Sequence, residues 1–412
     1  MSNENTARPS AAPRTLVALL TLALFINYVD RGNLATSAPM IKAQLHLDEA
    51  QIGYLISAFY WTYVIAMIPV GWATERLGAH RVLAVGAALW SAATLLTGFA
   101  NGIAALLAMR LLLGLAESAI FPASSALLAT YVPRENLGKA NGTISFGYLV
   151  GPAIGTFVGG VLMAKFGWRA VFIGFGAGSF LWLVPWLRFA TRPATPVAPV
   201  EATTYSPSYG QILRQRGLWG ASLGHFAGNF TWYFILSFMP LYLTDVRHLS
   251  VESMAGVLGG AYFINAVCAL IAGWYADRWI RRGGSPTVIY KLLMNVCQVV
   301  SVASMMGMVL LPAQYSIACL LVYEIFLGFS SPGTFGIGQI LAGPTATGRW
   351  IGIQNFCGNL AGIIAPALTG WLVYTYGNYN LAFIIAGLVS LIGLVGYLLV
   401  LPKVEPIDWS KT

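Results

Sequence analysis

An acid and a base stand side by side in the segment INYVDRGNL, residues 26–34, near the end of a run that is otherwise apolar from Leu16 onward. The carboxyl of Asp30 can bind and release a proton, and the guanidinium of Arg31 can hold a carboxylate through two parallel hydrogen bonds. The pair is therefore a candidate for binding a proton and an anion.

Five charged residues lie well inside apolar segments of the chain. They are Asp30, Arg31, Arg110, Glu117 and Glu324. A charge at the centre of a bilayer costs about 2.5–3.5 kcal/mol on insertion scales, so each needs a partner, a water-filled cavity or a function. Internal ion pairs that only hold helices together are one explanation. A functional role is favoured, because buried pairs seldom improve stability over apolar packing.

Arg110 and Glu117 are seven residues apart, which places them on one face of a helix, about 10.5 Å apart along its axis. They can serve one cavity without neutralising each other. Glu117 lies among small residues in GLAESA, where loss of water disfavours the charged form of a carboxyl. Glu117 is therefore a candidate for a proton carrier.

The composition indicates a chain embedded in lipid. Hydrophobic residues make up 57% of the 412 residues and charged residues 9%, whereas about a quarter of the residues in a soluble domain are charged. The net charge of +9 is explained by basic loops beside anionic lipid, without nucleic acid.

The sequence predicts no cofactor, no metal site and no enzyme. The four cysteines, Cys268, Cys297, Cys319 and Cys357, lie in apolar segments without metal-ligand spacing, so they are interpreted as packing residues. No hydrolase, nucleotide-binding or zinc pattern occurs in a usable context.

Twelve apolar stretches are each long enough to cross a hydrocarbon core of about 30 Å. They lie near 15–39, 50–73, 81–100, 103–130, 139–164, 169–190, 218–243, 252–275, 287–311, 316–342, 350–375 and 381–401. Each is predicted to be a helix, because backbone amides in lipid must bond within their own segment. The first is interpreted as a retained helix rather than a signal peptide.

The longest interruption divides the chain into two halves of six helices. Residues 191–216 contain PATPVAP and a polar run, which is typical of a linker. The predicted organisation is a tail at 1–14, a bundle at 15–190, this linker, a second bundle at 217–402 and a tail at 403–412.

The basic residues predict the orientation. With a cytosolic N-terminus, seventeen of them fall on the cytosolic side: Arg8, Arg14, Arg76, Arg81, Arg134, Lys139, Arg188, Arg192, Arg214, Arg216, Arg278, Arg281, Arg282, Lys291, Arg349, Lys403 and Lys411. Four fall on the other side: Lys42, Lys165, Arg169 and Arg247. This bias predicts that both termini face the cytosol.

The two halves are copies of each other. A shift of about 202 residues aligns GWATERLG, residues 71–78, with GWYADRWI, residues 273–280. The signals for helix starts repeat as well, since Asp48 with Gln51 is predicted to cap the second helix and Ser250 the eighth. Parallel repeats of this kind are typical of carriers whose site lies between the halves.

GWATERLGAHR resembles the motif between helices 2 and 3 of the major facilitator superfamily, and Gly273, Asp277 and Arg278 resemble its second, degenerate copy. The resemblance covers essentially the whole chain. It implies an all-α membrane protein with twelve transmembrane helices in two pseudo-symmetric six-helix bundles. It further implies that a conformational latch at the cytosolic ends of helices is formed by Gly71, Glu75, Arg76, Arg81, Asp277 and Arg278.

Within that superfamily, NYVDR, SAFYWTY and RLLLGLAESAIFPA resemble the anion:cation symporter family, whose members carry sugar acids, hexuronates, phthalate, sialic acid or glutamate. By this resemblance, Asp30 and Glu117 match the proton-coupling carboxylates, and Arg31 matches the arginine that faces the substrate. Arg110 matches the arginine that pairs with the coupling acid, and Tyr63 matches a substrate-contacting tyrosine.

The C-terminal half has no matching coupling acid. Aligning Gly114 with Gly328 places Ser331 at the position of Glu117 and Glu324 at that of Arg110, and neither Glu324 nor His225 is assigned a role. For the polar candidates of this half, substrate contact and interhelical hydrogen bonding remain equally open. They are Asn229, Tyr233, Asn355 and Asn359.

Two departures from the sugar-acid carriers bear on the substrate. Gly336 stands where they tend to carry a tryptophan, and Tyr148 stands where the galactonate carrier has a glutamine. Both count against recognition of a polyol, so a less hydroxylated or aromatic carboxylate fits at least as well as a sugar acid, with Tyr148 in the substrate site.

The sequence therefore predicts a monomeric, proton-coupled symporter of a small organic anion in the cytoplasmic membrane, surrounded by lipid. The alternatives are an organic anion exchanger, a drug/proton antiporter and a non-transporting receptor.

Overall fold

The fold is known from a computed structural model that describes residues 11–47, 49–190 and 205–411. We number the spanning helices α1 to α12. The bounds are Ala11–Leu45 for α1, Glu49–Leu77 for α2, Ala79–Thr97 for α3, Ile103–Glu117 with Ile120–Tyr131 for α4, Leu137–Leu181 for α5 and α6 together, Arg216–Leu241 for α7, Val251–Arg281 for α8, Pro286–Leu310 for α9, Ser316–Ala342 for α10, Thr347–Tyr376 for α11 and Asn380–Val395 for α12. Short helical segments flank them at Arg134–Asn136, Leu183–Ala190, Tyr209–Leu213, Tyr242–Val246, Ala313–Tyr315, Gly396–Val400 and Trp409–Lys411.

The described residues confirm the predicted helical membrane fold. Ten helical runs are long and apolar enough to span a membrane, and one of them, Arg134–Arg188, covers 55 residues and includes both α5 and α6. The remaining span is α7, whose apolar residues are interrupted by His225 and Asn229. These runs account for the twelve predicted spans.

Helices α5 and α6 meet at a kink. The run Leu137–Leu181 has 45 residues, about 68 Å as one straight helix, which is more than twice the thickness of a hydrocarbon core. Gly167 breaks it with φ 78° and ψ 159°, a conformation with positive φ that glycine adopts without a steric penalty.

Helix α4 is broken directly after Glu117, although the sequence predicts one continuous span at 103–130. Residues 118 and 119 form a turn between its two segments. Pro122 has no N–H to donate to the carbonyl of Ser118, four residues earlier, so the ladder of hydrogen bonds is interrupted there. The Ser118 hydroxyl donates to the carbonyl of Leu115 over 2.6 Å.

The predicted cap of the eighth helix is confirmed, because the backbone N–H of Ser253 donates to the Ser250 hydroxyl over 3.2 Å. The predicted cap at Asp48 lies outside the described residues, as do residues 191–204 of the predicted linker. The described part of that linker contains the helix Tyr209–Leu213, which Ser208 and Gln211 start with a capping box.

The two halves, α1–α6 and α7–α12, approach each other most closely where α2 and α8 end and where α5 and α11 begin. We call this the latch end of the molecule. A Cβ atom on Gly71 would meet the backbone oxygen of Gly348 at 2.6 Å, and a Cβ atom on Gly138 would meet that of Gly273 at 2.8 Å. Backbones from opposite halves thus touch at these glycines, which seal the latch end.

Candidate functional site

A cavity of about 650 Å³ lies between the two halves. Its lining is mainly aromatic, with a few amides and hydroxyls, and includes Tyr28, Arg31, Tyr60, Phe121, Tyr148, His225, Asn229, Trp232, Tyr233, Tyr262, Ser331, Phe335, Asn355 and Asn359. Among the described residues of the lining, Arg31 alone carries a permanent charge. The cavity is thus equipped to hold one anionic group among apolar surfaces.

Arg31 is joined to Glu117 across two helices of the N-terminal half. Nε of Arg31 donates to Oε2 of Glu117 over 2.8 Å, and the side chains are 14% and 0% exposed. The other carboxylate oxygen of Glu117 and the Nη2 atom of Arg31 have no hydrogen-bond partner among the described residues. Arg31 therefore reaches the cavity with part of its hydrogen-bonding capacity unused.

Three aromatic rings surround the Arg31 guanidinium. Its carbon lies 4.4 Å from the ring centre of Tyr28, 4.6 Å from that of Tyr63 and 5.1 Å from that of Phe59. Such rings attract a cation through their negative faces. They also keep the planar guanidinium in one orientation, so the predicted residue Tyr63, 1% exposed, positions Arg31 from behind the cavity lining.

Asp30 points away from the cavity and towards α3. It is 2% exposed, and its Oδ2 atom accepts a long hydrogen bond of 3.4 Å from the Thr94 hydroxyl. Its Oδ1 atom is buried without a partner in the described chain. Asp30 and Glu117 are close enough to repel each other when both are charged, so a proton on either carboxyl relieves the repulsion.

Arg110 does not pair with Glu117, unlike the arginine it matches by resemblance. It is 6% exposed and makes no ion pair with any described residue, although it attracts both Glu117 and Asp30 electrostatically. In this conformation Arg31 takes the place expected for Arg110 as the partner of Glu117. Arg110 is a second, uncommitted cation next to the two acids.

The C-terminal half brings a chain of amides to the same cavity. The Tyr233 hydroxyl donates to Oδ1 of Asn359 over 2.9 Å, and Nδ2 of Asn359 donates to Oδ1 of Asn355 over 2.9 Å. Asn229 donates to the backbone oxygen of Gly358 over 3.1 Å. The Nδ2 atom of Asn355 has no partner in the described chain, which leaves a donor for a ligand.

Tyr148, which the sequence predicts to be in the substrate site, lies in the cavity wall. Its ring centre is 5.2 Å from that of Tyr28 and 5.9 Å from that of Phe121. Phe121 in turn stacks on Phe335 of the other half, with ring centres 4.9 Å apart. A polyol would meet rings on this wall, whereas a flat apolar group would be accommodated.

The latch residue Glu75 binds the first turn of α11 in the opposite half. Its Oε1 atom accepts the backbone N–H of Arg349 over 2.8 Å, and its Oε2 atom accepts Nε of Arg349 over 2.5 Å. Arg349 also donates to the Ser206 hydroxyl over 2.8 Å and to the carbonyl of Pro207. One guanidinium therefore ties together α2, α11 and the end of the linker.

Tyr209 extends this contact from the linker to α2. Its hydroxyl donates to the carbonyl of Ile68 over 2.7 Å. Burial raises the pKa of Tyr209 to about 12, so the hydroxyl keeps its proton and the hydrogen bond persists throughout the physiological pH range.

Asp277 makes the equivalent contact from the C-terminal half to the N-terminal half. Its Oδ1 and Oδ2 atoms accept the backbone N–H groups of Gly138 and Lys139, each over 2.8 Å. These N–H groups lie in the first turn of α5, where the helix offers unpaired donors and a partial positive charge. Glu75 and Asp277 occupy equivalent positions of the repeat, so this carboxylate contact between the halves is formed twice.

Three further predicted latch residues, Arg76, Arg81 and Arg278, do not form ion pairs between the halves in the described chain. All three are exposed and have no ion-pair partner among the described residues. Arg76 and Arg278 lie over the rings of Trp72 and Trp274. The cations that bond across the seam between the halves are Arg349, which donates to Glu75, and Arg281, which donates to the carbonyl of Glu135 and to Oδ1 of Asn136.

The sequence argument missed Arg349 as a latch residue and placed it only among the topology determinants. The signal that finds it is the repeat itself. Asp277 contacts the start of α5 at Gly138 and Lys139, and Glu75 contacts the start of α11 at Gly348 and Arg349. Extending the alignment of the halves to the starts of α5 and α11 predicts this contact.

The described residues contain no group of three or more His, Cys, Asp or Glu side chains that could hold a metal ion. The candidate site combines two cations, Arg31 and Arg110, with two buried carboxyls, Asp30 and Glu117.

Similar proteins with solved structures are transporters of the same fold. The proton:xylose symporter XylE, bound to 6-bromo-6-deoxy-D-glucose, superposes with a TM-score of 0.77 over 97% of this chain and 98% of that chain, at 13% identity. The Fucose:proton symporter FucP of E. coli superposes with a TM-score of 0.69 over 92% of this chain and 97% of that chain, at 15% identity. These likenesses establish the fold.

Three of the relatives in sequence are named as transporters of sugar acids or hexuronates. The D-galactonate transporter of Escherichia coli O6:H1 is 29% identical over 97% of this chain and 98% of its own length. The probable galactarate/D-glucarate transporter GudP of E. coli K12 is 27% identical over 99% and 98%. The hexuronate transporter of Bacillus subtilis is 28% identical over 90% of each chain.

These names agree with the resemblance to the anion:cation symporter family. A family model of the Major Facilitator Superfamily matches residues 20–366, which include the site and both copies of the latch motif. The match, the fold and the relatives identify a multi-pass membrane transporter, not an enzyme. The chain belongs to the Major Facilitator Superfamily.

Proposed function

We propose that this protein is a proton-coupled symporter that imports a small organic anion across the cytoplasmic membrane by alternating access. The observation that carries this proposal is the ion pair between Arg31 and Glu117, which places the anion-binding cation and a buried carboxyl 2.8 Å apart at the cavity.

The pair provides a direct coupling of proton and substrate. When Glu117 is charged, it occupies Arg31 and competes with the carboxylate of a substrate. A proton on Glu117 removes that competition and frees the planar guanidinium to bind the anion through two hydrogen bonds. Thermodynamic linkage then requires the bound anion to strengthen proton binding by the same factor.

Asp30 supplies the second coupling carboxyl. Asp30 does not line the cavity. Its charge repels that of Glu117 and attracts that of Arg110. Protonation of Asp30 removes one of the two negative charges that attract Arg110. The attraction of Arg110 to Glu117, and with it the ion pair of Glu117 with Arg31, then changes. Two acids and two cations in one half thus form a network whose net charge depends on proton uptake.

The cavity favours a monocarboxylate with an apolar or aromatic body. Arg31 offers one anion site, and the rings of Tyr28, Tyr148, Phe121 and Phe335 offer flat apolar surface. The relatives named for sugar acids suggest a carboxylate, and the aromatic wall at Tyr148 favours fewer hydroxyl groups than those substrates carry.

The two six-helix bundles, 15–190 and 217–402, would move as rigid bodies about this site. With both termini in the cytosol, as the basic residues predict, the latch end is cytosolic and this conformation is closed towards the cytosol. Opening towards the cytosol then requires both latches to break.

Uptake by purified protein in proteoliposomes tests the proposal. Carboxylates are first screened by thermal shift, because a ligand that binds only the folded protein raises its apparent stability. A stabilising carboxylate should then acidify the lumen as it enters, and an imposed inward proton gradient should drive its accumulation. Substrate-for-substrate exchange without proton movement would instead identify an exchanger, and binding without flux a receptor.

A further inference from the structure

A buried carboxyl of the C-terminal half has no role in the mechanism above. Glu324 on α10 is 0% exposed, and its Oε2 atom accepts a hydrogen bond of 2.6 Å from Nδ2 of Asn265 on α8. Its Oε1 atom has no partner in the described chain. The proposed competition of Glu117 and the substrate for Arg31 does not involve Glu324.

No cation neutralises Glu324 among the described residues. The titratable groups that face it are Tyr262 of α8, Cys297 of α9 and Tyr323 beside it on α10. None of the three carries a positive charge in either protonation state. An ionised carboxylate in this place would be desolvated and unpaired, which strongly disfavours its charged form.

The polar atoms around Glu324 have unused hydrogen-bonding capacity. Oδ1 of Asn265 and the hydroxyl oxygens of Tyr262 and Tyr323 are buried without partners in the described chain, as is Oε1 of Glu324 itself. A carboxylate only accepts hydrogen bonds, whereas a protonated carboxyl also donates one. A proton on Glu324 therefore adds a donor beside acceptor oxygens that have no partner in the described chain, and it removes the buried charge.

The repeat places the cluster opposite the network of the N-terminal half. Glu324 occupies the position of Arg110, Tyr262 that of Tyr60, and Asn265 that of Tyr63. The N-terminal half has a cation at this position, next to two acids, whereas the C-terminal half has an acid without a cation. The two halves thus carry different charges at an equivalent depth.

Tyr262 connects the cluster to the cavity. Its side chain lines the cavity, its ring meets that of Trp232 at 5.3 Å, and its hydroxyl is the unpartnered group that interacts with Glu324 electrostatically. A hydroxyl both donates and accepts hydrogen bonds, so it can pass a proton between cavity water and the carboxyl.

We propose that Glu324 is a further proton-binding site of this transporter, which lies in the C-terminal half and exchanges its proton with the cavity through Tyr262. Asn265 holds the carboxyl in place through Oε2 and leaves Oε1 for the proton. The use of this proton in transport rests on the proposed symport, but its binding does not.

Infrared difference spectra of the purified full chain in lipid nanodiscs test the proposal without a substrate. We expect a protonated-carboxyl C=O component at low pH that disappears as the pH rises and that E324Q lacks. E117Q and D30N serve as matched controls and should keep this component. A spectrum of E324Q that titrates as the wild type does, or a Glu324 component that does not change with pH, would overturn the assignment.

Two further experiments test whether Glu324 binds a proton or a metal ion, and whether the proton passes through Tyr262. Replacing choline chloride by sodium chloride at constant pH should leave the component unchanged, and its loss would show a metal ion instead of a proton. Y262F should keep the component but slow its exchange in deuterated buffer, and unchanged exchange would refute the route. If E324Q does not fold, N265A must shift the frequency of the component, and an unshifted band counts against the site.

Discussion

Phe121 and Phe335 stack across the boundary between the halves, with ring centres 4.9 Å apart and planes inclined by 29°. The alignment of Gly114 with Gly328 makes them equivalent positions of the repeat. Both α4 and α10 run towards the latch end, and the stacked rings lie beyond Glu117 in that direction. The pair therefore joins the two halves in the cavity wall, on the latch-end side of Glu117.

Removal of this stack should favour the opposite conformation. An aromatic pair contributes about 0.5–1.5 kcal/mol beyond the area that it buries, and F335A should shift the population towards an open latch end. Distances between spin labels placed on the two halves at the latch end should increase in F335A and stay near wild type in F335L. Equal distances in all three proteins would show that the rings do not act as a gate.

Arg31→Ala should remove anion binding. Truncating one partner of a buried, hydrogen-bonded charge pair costs about 2–5 kcal/mol, or a loss of affinity between roughly thirtyfold and several thousandfold. Arg31→Lys should also bind poorly, since an ammonium cannot reproduce the planar fork. Calorimetric titration with the carboxylate found by thermal shift provides the measurement. Affinity near wild type in R31A would place the anion elsewhere, with Arg110 as the next candidate.

Glu117→Gln should separate binding from coupling. The neutral amide mimics the protonated acid and leaves Arg31 free, so binding should survive and counterflow of labelled substrate should persist. Accumulation driven by a proton gradient should be lost, because the variant cannot release a proton. Continued accumulation in E117Q would assign coupling to Asp30 or Glu324.

The pH dependence of affinity provides an independent check on the same carboxyl. Protonation of Glu117 frees Arg31, so the wild type should bind its anion tightly at low pH and more weakly as the pH rises. E117Q should show a flatter profile. D30N should bind less well than E117Q, because Arg31 is its direct neighbour in the chain. Identical profiles in the wild type and E117Q would mean that Glu117 does not compete for Arg31.

The two latches should contribute separately to closure of the latch end. Removing one partner of a buried ion pair costs about 3–5 kcal/mol, so E75Q should strongly depopulate the closed latch end. D277N should have a smaller effect, since the amide oxygen still accepts one of the two backbone N–H groups and no ion pair is broken. Exposed Arg76 supplies the control, and R76Q should behave as the wild type. Accessibility of an engineered cysteine on the α5 side of the seam measures all three.

The membrane spans, the internal repeat and the positions of the buried charges can be predicted from the sequence, because they depend on local composition. Apolar length identifies the helices, Ser250 starts α8 by a bond to a residue three positions away, and the shared GW motif identifies equivalent positions. The kink at Gly167 and the break beside Pro122 have local causes as well, but the sequence analysis did not assign them.

The sequence also singled out candidate site residues, since few charges are tolerated in an apolar segment. Asp30, Arg31, Arg110 and Glu117 were named for that reason, and the structure gathers them in one half. What the sequence alone could not decide was the pairing. Arg110 shares a helix with Glu117, yet Arg31, 86 residues away, holds the carboxylate.

Tertiary structure alone decides these pairings because side chains distant in sequence meet only where helices cross. Arg349 lies 274 residues from Glu75, and local composition shows only a basic residue near a helix start. The same holds for Glu324, whose sequence position indicates a buried acid, while the absence of a cation around it in the described chain emerges only from the packing of α8, α9 and α10. Local sequence fixes where charges must be buried, and the crossing of helices fixes which partners neutralise them.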